Sequence, residues 1–389
     1  MPGLIIKPRS RIYHGHDWVY ASEVLKSFGE PRDGDVVSLR GAGDQILGSA
    51  IYNSRSQIVA RRFCRQRQDL DLDFFLRRIA QAVAYRQRRG VDARLCRVVW
   101  SESDGLPGVI VDRYGEHLVL QTLTAAMDQR RELIVEALRT TFSPASIIER
   151  NDTPIRVAEG LELRTGMLHG EAPEVFAQRI GGLEFELDLL HGQKTGFYLD
   201  QVASYAQVAP HARGRRVLDC FANAGGFALA CAKAGASAVS AIDSSEDCTA
   251  AISRNAARNG LTVEAITGNV FGVLKELERQ SATYDLIILD PPSFTKNKAK
   301  LAEADRGYKE IHLRALRLLS PDGLLATFCC SHHVSAERFK AIINDASVDA
   351  KRALRQVGIY SQSLDHPIVP LLPETEYLKG YLFELMPGR

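Results

Sequence analysis

The sequence predicts an α/β protein, with a mostly parallel sheet in its C-terminal half behind a small β-barrel and a central α+β unit. Three observations carry this. From about residue 185, strand-like and helix-like segments alternate, as parallel strands joined by crossover helices require. The segment 285–290, Asp-Leu-Ile-Ile-Leu-Asp, is a near-continuous apolar run, as suits a strand covered on both faces. Residues 1–70 instead hold short strand-like runs punctuated by Gly, Asn and Asp, the spacing of a small barrel. At 389 residues the chain has room for two or three domains. Boundaries are expected at 1–72 (barrel), 73–94 (basic helical connector), 95–180 (central α+β) and 181–389 (parallel sheet).

In the barrel, strands are expected at 35–39, 46–52 and 58–60, separated by Gly41-Ala42-Gly43-Asp44 and Asn53-Ser54. Residues 71–90 switch to helical spacing, with Phe74, Phe75, Ile79, Val83 and Tyr85 apolar, arginines between them and Gly90 as the stop. The central unit reads as strands at 96–100, 109–112 and 118–122, a helix at about 128–140, and strands near 146–149 and 161–164. Asp104-Gly105-Leu106-Pro107-Gly108 is a tight turn. The parallel sheet follows at 216–221, 238–243, 263–267, 285–290 and 324–330, with terminal strands at 357–361 and 381–385. Ser244 is placed to cap the helix that stops at Asn259-Gly260. Pro321-Asp322-Gly323 breaks the helix expected at 307–319, and another helix is expected at 335–353.

Composition narrows the function classes. Charged residues are 25% and apolar residues 45%, which excludes a largely disordered chain. No run of 18 or more uncharged apolar residues exists, so neither a transmembrane helix nor a membrane partner is expected. The apolar patch Leu4 to Ile6 is too short for a signal-peptide core, and seven cysteines without a regular framework suit reduced thiols, so a cytoplasmic location is expected. The net charge of +2 hides an asymmetry. Residues 55–97 hold twelve arginines, no lysine and four acids, net +8; residues 1–54 sum to 0, leaving −6 for the rest. Arginine forks match phosphate geometry, so this segment points to a polyanion; a solvated helix face is the alternative.

In open α/β sheets, ligands sit beyond the carboxyl ends of the strands, where Asp219, Asp243 and Asp290 fall. The loop Ala222-Asn223-Ala224-Gly225-Gly226-Phe227 follows the first strand, and paired glycines let backbone approach a ligand closely. Asp243 lies 18 residues beyond Gly225 and is placed to accept both hydroxyls of a ribose. The loop does not fit G-x-G-x-x-G, and Asp219 before it would repel a pyrophosphate seated at the helix N-terminus. That acid suits the cationic amino-acid end of S-adenosylmethionine, which is favoured over NAD. Alone, Asp219 also reads as a carboxylate capping local amides. Asn269, after the third strand, is placed to accept from an adenine amino group; an ordinary loop asparagine is the alternative.

Asp290-Pro291-Pro292-Ser293-Phe294 ends the fourth strand in a stiff, extended loop. Asp290 there can hydrogen-bond a base edge, with Phe294 as a stacking surface, and the motif points to base methylation. Cys329-Cys330-Ser331 ends the fifth strand, where alternation sends one cysteine into packing and lets the other face the site. Methylating C5 of cytosine needs such a thiol: a thiolate adds to C6 and makes C5 nucleophilic. Cys64, Cys96, Cys220, Cys231 and Cys248 read as small core residues. His332-His333 reads as a polar loop pair, and no metal site is expected.

On these residues the chain resembles the bacterial 23S rRNA large-subunit cytosine-C5 methyltransferase family over nearly its full length. The resemblance rests on Leu4-Ile5-Ile6-Lys7 through His16-Asp17-Trp18-Val19-Tyr20, on Ser103 to Gly108 with Val111-Asp112, and on Lys194-Thr195-Gly196-Phe197-Tyr198-Leu199-Asp200-Gln201, the most specific stretch. Asp290 to Phe294, Asp365-His366-Pro367 and Tyr377-Leu378-Lys379-Gly380 complete it. It implies an N-terminal PUA domain that binds RNA, a central α+β domain, and a Rossmann-like class I methyltransferase sheet with an antiparallel last strand. It also implies an S-adenosylmethionine-dependent enzyme acting on 23S rRNA or its precursor, in a family that is often dimeric.

The implied cofactor residues are Lys194, Phe197, Asp219, Phe221, Asn223, Gly225, Asp243, Ser244, Asn269 and Asp290. The family pattern T-F-S-C-S puts the nucleophile on Cys330, with Asp290 orienting the base and Cys329 where the family has serine. Ser293 stands where other RNA cytosine-C5 methylases carry a second cysteine, so another group must take the C5 proton. From the arginine-rich 55–97 segment, Arg61, Arg62, Arg65, Arg86, Arg88 and Arg89 are the expected RNA contacts. Two other readings stay open: a base-nitrogen methyltransferase using the Asp290-Pro-Pro motif, and a non-catalytic RNA-binding ribosome-assembly factor.

Overall fold

A computed structural model describes residues 1–386 apart from 172, 174, 193, 296 and 297. The chain forms two compact units. The first comprises Met1–Phe176 with the returning segments Leu187–Leu199 and Leu364–Glu376; the second comprises Ala177–Glu186, Asp200–Ser363 and the chain from Tyr377 onward.

In the first unit a six-stranded sheet runs in the order Trp18–Tyr20, Ile58–Cys64, Ile46–Tyr52, Val36–Gly41, Gly3–Ile6, Val24–Phe28. The alternation Val36-Val37-Ser38-Leu39 turns Val37 and Leu39 onto Leu4, Ile6, Val19, Ala50 and Ala60. Asp71 caps the helix Leu72–Arg88 by accepting the Phe74 amide at 2.8 Å. That helix buries Phe74, Phe75, Ile79 and Ala82 in one core with Val98, Val111, Leu118, Ile134 and Ile147. These belong to a five-stranded sheet, Leu95–Trp100, Val109–Tyr114, His117–Thr122, Ser146–Asn151 and Arg164–Gly170 in spatial sequence, and to the helix Arg131–Phe142. The last of these strands was expected at 161–164. It begins later because Ile155–Ala158 coils into a helical turn that unwinds through Gly160 at φ 75°.

The second unit is built on seven strands: β1 (Arg216–Cys220), β2 (Ala238–Asp243), β3 (Glu264–Thr267), β4 (Tyr284–Leu289), β5 (Leu319–Cys329), β6 (Leu354–Ser361) and β7 (Lys379–Leu385). Their order is 3-2-1-4-5-7-6; β1 to β5 are parallel, and β7 lies antiparallel between β5 and β6. Leu286, Ile287, Ile288 and Leu289 are fully buried, as the apolar run requires. Pro321-Asp322-Gly323 sits inside β5 and does not merely precede it. Pairing with β4 jumps from Leu319 to Leu324, and Asp322 takes φ 60°, so the turn is looped out as a bulge. The strand order reverses between β1 and β4, which opens the ligand crevice at their carboxyl ends.

The segments that return to the first unit are held by a buried charge pair. Arg97 forks onto Asp112 at 2.7 and 2.8 Å, Thr195 donates to the same carboxylate, and the Arg97 amide donates to Asp365 at 2.7 Å. Burial alone would drive the Asp112 carboxyl up, but the Arg97 guanidinium holds it below the ordinary aspartate value of 3.8. A depressed carboxylate contributes stability that is present above its unfolded value and lost as pH falls through its folded one. Asp112→Asn, which leaves Arg97 buried without its counter-charge, should cost the first unit about 3 kcal/mol at neutral pH. Denaturant midpoints would show the loss, and the gap to the wild type should close as pH falls below about 4.

Candidate cofactor and catalytic site

The turn after β1 is shaped for close backbone approach. Phe221, Asn223 and Gly225 all have positive φ, at 65°, 49° and 87°. A Cβ on Gly225 would stand 2.4 Å from Leu229, so both conformation and packing demand glycine there. The strained turn is tied down from β2: Asp243 accepts the Asn223 amide at 2.9 Å on one oxygen and the Ser245 amide at 3.0 Å on the other. Asp219 accepts the Ala228 amide at 2.9 Å, in the first turn of the helix Gly226–Lys233. Its second oxygen is buried and has no partner. Burial drives the Asp219 carboxyl well above the usual range; the Ala228 amide opposes the rise, and the charges of Asp290 and Asp243 add to it. A cation would relieve this buried acid, so the residues present fit the cationic, ribose-bearing S-adenosylmethionine.

Other expected cofactor residues have local contacts of their own. Ser244 is exposed and caps nothing; Ser245 is the cap, accepting the Cys248 amide ahead of the helix Glu246–Arg258. The Asn269 carbonyl accepts the Phe271 amide at 3.0 Å, so it caps the helix Val270–Arg279. Phe197 and Lys194 belong to the first unit. Phe197 is buried with its amide donating to the Tyr114 hydroxyl at 3.1 Å, and the Lys194 ammonium lies 4.0 Å from the Tyr198 ring centre.

At the end of β4, Asp290 accepts from the side-chain amide of Gln201 at 3.0 Å. In the sequence Gln201 carries no signal of this contact beyond its place at the end of the Lys194–Gln201 stretch. At the end of β5 the paired cysteines diverge as alternation requires. Cys329 is fully buried beside the Tyr308 hydroxyl at 3.5 Å, and burial pushes its thiol up. Cys330 is half-buried, with Sγ 4.0 Å from the Pro291 carbonyl oxygen of the neighbouring loop. Lys379, from β7, donates to the carbonyls of Ser331 and Val334 at 2.7 and 2.9 Å and pins the turn that follows Cys330. Phe294 is half-buried against Tyr308, Phe271 and Phe221 (4.6, 5.9 and 6.3 Å between ring centres).

Three of the six expected RNA arginines are internal. Arg61 joins Glu102 and Glu159 at 2.9 and 3.0 Å, Arg62 joins Asp17 at 2.7 Å, and Arg86 forks onto Asp104 at 2.6 and 2.8 Å while donating to the Asp365 carbonyl. All three are under 10% exposed, because a guanidinium leaves water only where acceptors match it. Arg65, Arg88 and Arg89 are exposed. Among the described residues no group of His, Cys, Asp and Glu is arranged to hold a metal, and no helix is long and apolar enough to cross a membrane.

Comparison with known proteins agrees with this geometry. Residues 161–352 match the S-adenosylmethionine-dependent methyltransferase family, and residues 6–65 match a PUA-like domain. The ribosomal RNA large subunit methyltransferase I of Aeromonas hydrophila is 38% identical over 97% of both chains. That of Shewanella amazonensis is 40% identical over 94% of both. A crystal structure described as a methyltransferase complexed with SAH shares the fold, with a TM-score of 0.86 at 22% identity, covering 99% of this chain and 100% of that one.

Asp219→Asn keeps an acceptor for Ala228 and removes the charge. A raised carboxyl stabilises the fold only below its unfolded value and loses that contribution as pH rises through its folded one, so the variant removes a cost at neutral pH. The ligand-free variant should melt no lower than the wild type, whereas calorimetry should show S-adenosylmethionine binding about ten- to hundredfold more weakly, the loss of one charge-assisted hydrogen bond.

Proposed function

The chain belongs to the ribosomal RNA large subunit methyltransferase I family, and from that premise we propose that it methylates C5 of a cytosine in 23S rRNA, with Cys330 as nucleophile. S-adenosylmethionine supplies the methyl group. Asp219, Phe221, Asn223, Gly225 and Asp243 hold the cofactor, and Asp290 orients the cytosine at its N3/N4 edge. The Cys330 thiolate adds to C6, and the electron pair released across the ring makes C5 nucleophilic. C5 takes the methyl group as its bond to the sulfonium sulfur breaks; when another group then removes the C5 proton, its bonding pair restores the C5–C6 double bond and expels the thiolate.

The observation that carries this reading is the divergence of Cys329 and Cys330. The first is sealed in the core; the second stands half-buried at the carboxyl end of β5, beside the loop that Asp290 opens. RNA is held by the PUA-like barrel and by the exposed Arg65, Arg88 and Arg89, which offer forks to phosphates.

Cys330→Ala should abolish cytosine-C5 methylation, read by mass mapping of rRNA from a complemented deletion strain, and Cys329→Ala should retain it with reduced stability. Methylation persisting in Cys330→Ala, or found on a ring or exocyclic nitrogen, would instead select base-nitrogen chemistry through the Asp290-Pro-Pro motif. Arg88→Ala with Arg89→Ala should lower the slope of log affinity for RNA against log salt by about 1.5. Equal slopes would remove these two arginines from the RNA surface.

A further inference from the structure

Buried carbonyl and carboxylate oxygens nearly always receive a hydrogen bond. Two such side-chain oxygens do not among the described residues, and both lie in the second unit: one on Asp219, and Oε1 of Gln201. The Asp219 oxygen is accounted for by a cationic cofactor. Gln201 is 2% exposed, and the orientation of its amide follows from its neighbour. An ionised carboxylate can only accept, so the nitrogen end of the amide must face Asp290, as the 3.0 Å contact has it. The oxygen end is thereby left as an acceptor without a donor, fixed next to the carboxylate that addresses the base.

We propose that Gln201 is a specificity-determining residue that reads the 4-amino group of the target base; this rests on the cytosine reading above. An exocyclic amino group has two N–H bonds, and Asp290 and Gln201 Oε1 supply two adjacent acceptors, one for each. Uracil presents a carbonyl oxygen at the same position. Its O4 would face Gln201 Oε1, acceptor against acceptor, and leave Oε1 unsatisfied, a form of discrimination stronger than a shape difference provides. The donation from Gln201 to Asp290 keeps both acceptors in register, so base orientation and base identity are set by one hydrogen-bonded pair.

The test uses Gln201→Met, which keeps length and buried volume while deleting donor and acceptor. Methyl transfer is followed with enzyme in excess on two RNAs that differ only at the target base: cytosine, or pyrimidin-2-one, which lacks the 4-amino group. S-adenosylmethionine affinity of the same variant is measured by calorimetry. The wild type should favour the cytosine RNA. The variant should lose ten- to hundredfold on that RNA, change less than threefold on the pyrimidin-2-one RNA, and bind cofactor within threefold of the wild type. An equal loss on both RNAs, or a parallel loss of cofactor affinity, would overturn the assignment and make Gln201 a structural or cofactor residue. Transfer to a nitrogen of the cytosine would overturn the C5 reading, while the ratio between the two RNAs would still decide whether Gln201 reads the amino group.

Discussion

Parallel pairing of β1 with β2 and β4 is the constraint on which the rest of the second unit depends. Cys220 stands opposite Ile242 on one side and Leu289 on the other, so the three strands end nearly level. Their next residues then emerge at one edge: the turn from Phe221, the Asp243 carboxylate and Asp290. Thr327 of β5 is level with Leu289, so β5 runs two residues further and delivers Cys329 and Cys330 beside the Asp290 loop. The same levelling crowds three acids, and the sheet shields Asp219 from water. Its raised carboxyl is a consequence of the topology before it is a property of the residue.

Electrostatics in the first unit follows a different rule. A guanidinium removed from water needs a matched carboxylate, and the partners of the buried arginines come from outside the arginine-rich segment: Asp17, Glu102, Asp104, Asp112 and Glu159. The excess of acids elsewhere in the chain is therefore partly the internal complement of the +8 segment. What remains for a polyanion is the exposed subset, fewer charges than the composition suggests and more sharply placed. Arg61 also joins the barrel to the central sheet within this unit, since its two carboxylates, Glu102 and Glu159, lie outside the barrel strands.

Much of the architecture was legible because it rests on local periodicity. Alternation along β5 was enough to send Cys329 and Cys330 opposite ways, and the near-continuous apolar run of β4 announced burial on both faces. Legibility failed where two neighbours compete for one local task. Ser244 and Ser245 are chemically equal caps, and the choice between them turns on which residue the Asp243 carboxylate holds by its amide. The Asn269 carbonyl caps the adjacent helix N-terminus, a task that its place after the third strand did not announce. Pro321-Asp322-Gly323 is a turn signal in any sequence, but only pairing with β4 decides that the strand resumes around it.

By itself the sequence determined the class of sheet, the barrel ahead of it, the acids at the strand ends and the cysteine that escapes the core. Each follows from a repeat of two or 3.6 residues that the backbone enforces over short distances. The tertiary structure alone decided which charges remain available. Arg86 meets the carbonyl of Asp365 279 positions away, and Gln201 meets Asp290 across 89. A pairing at such separation is selected by the packing of whole strands and helices, so no local pattern encodes it. The same packing closes Arg61, Arg62 and Arg86 inward and leaves the Gln201 oxygen waiting for a donor.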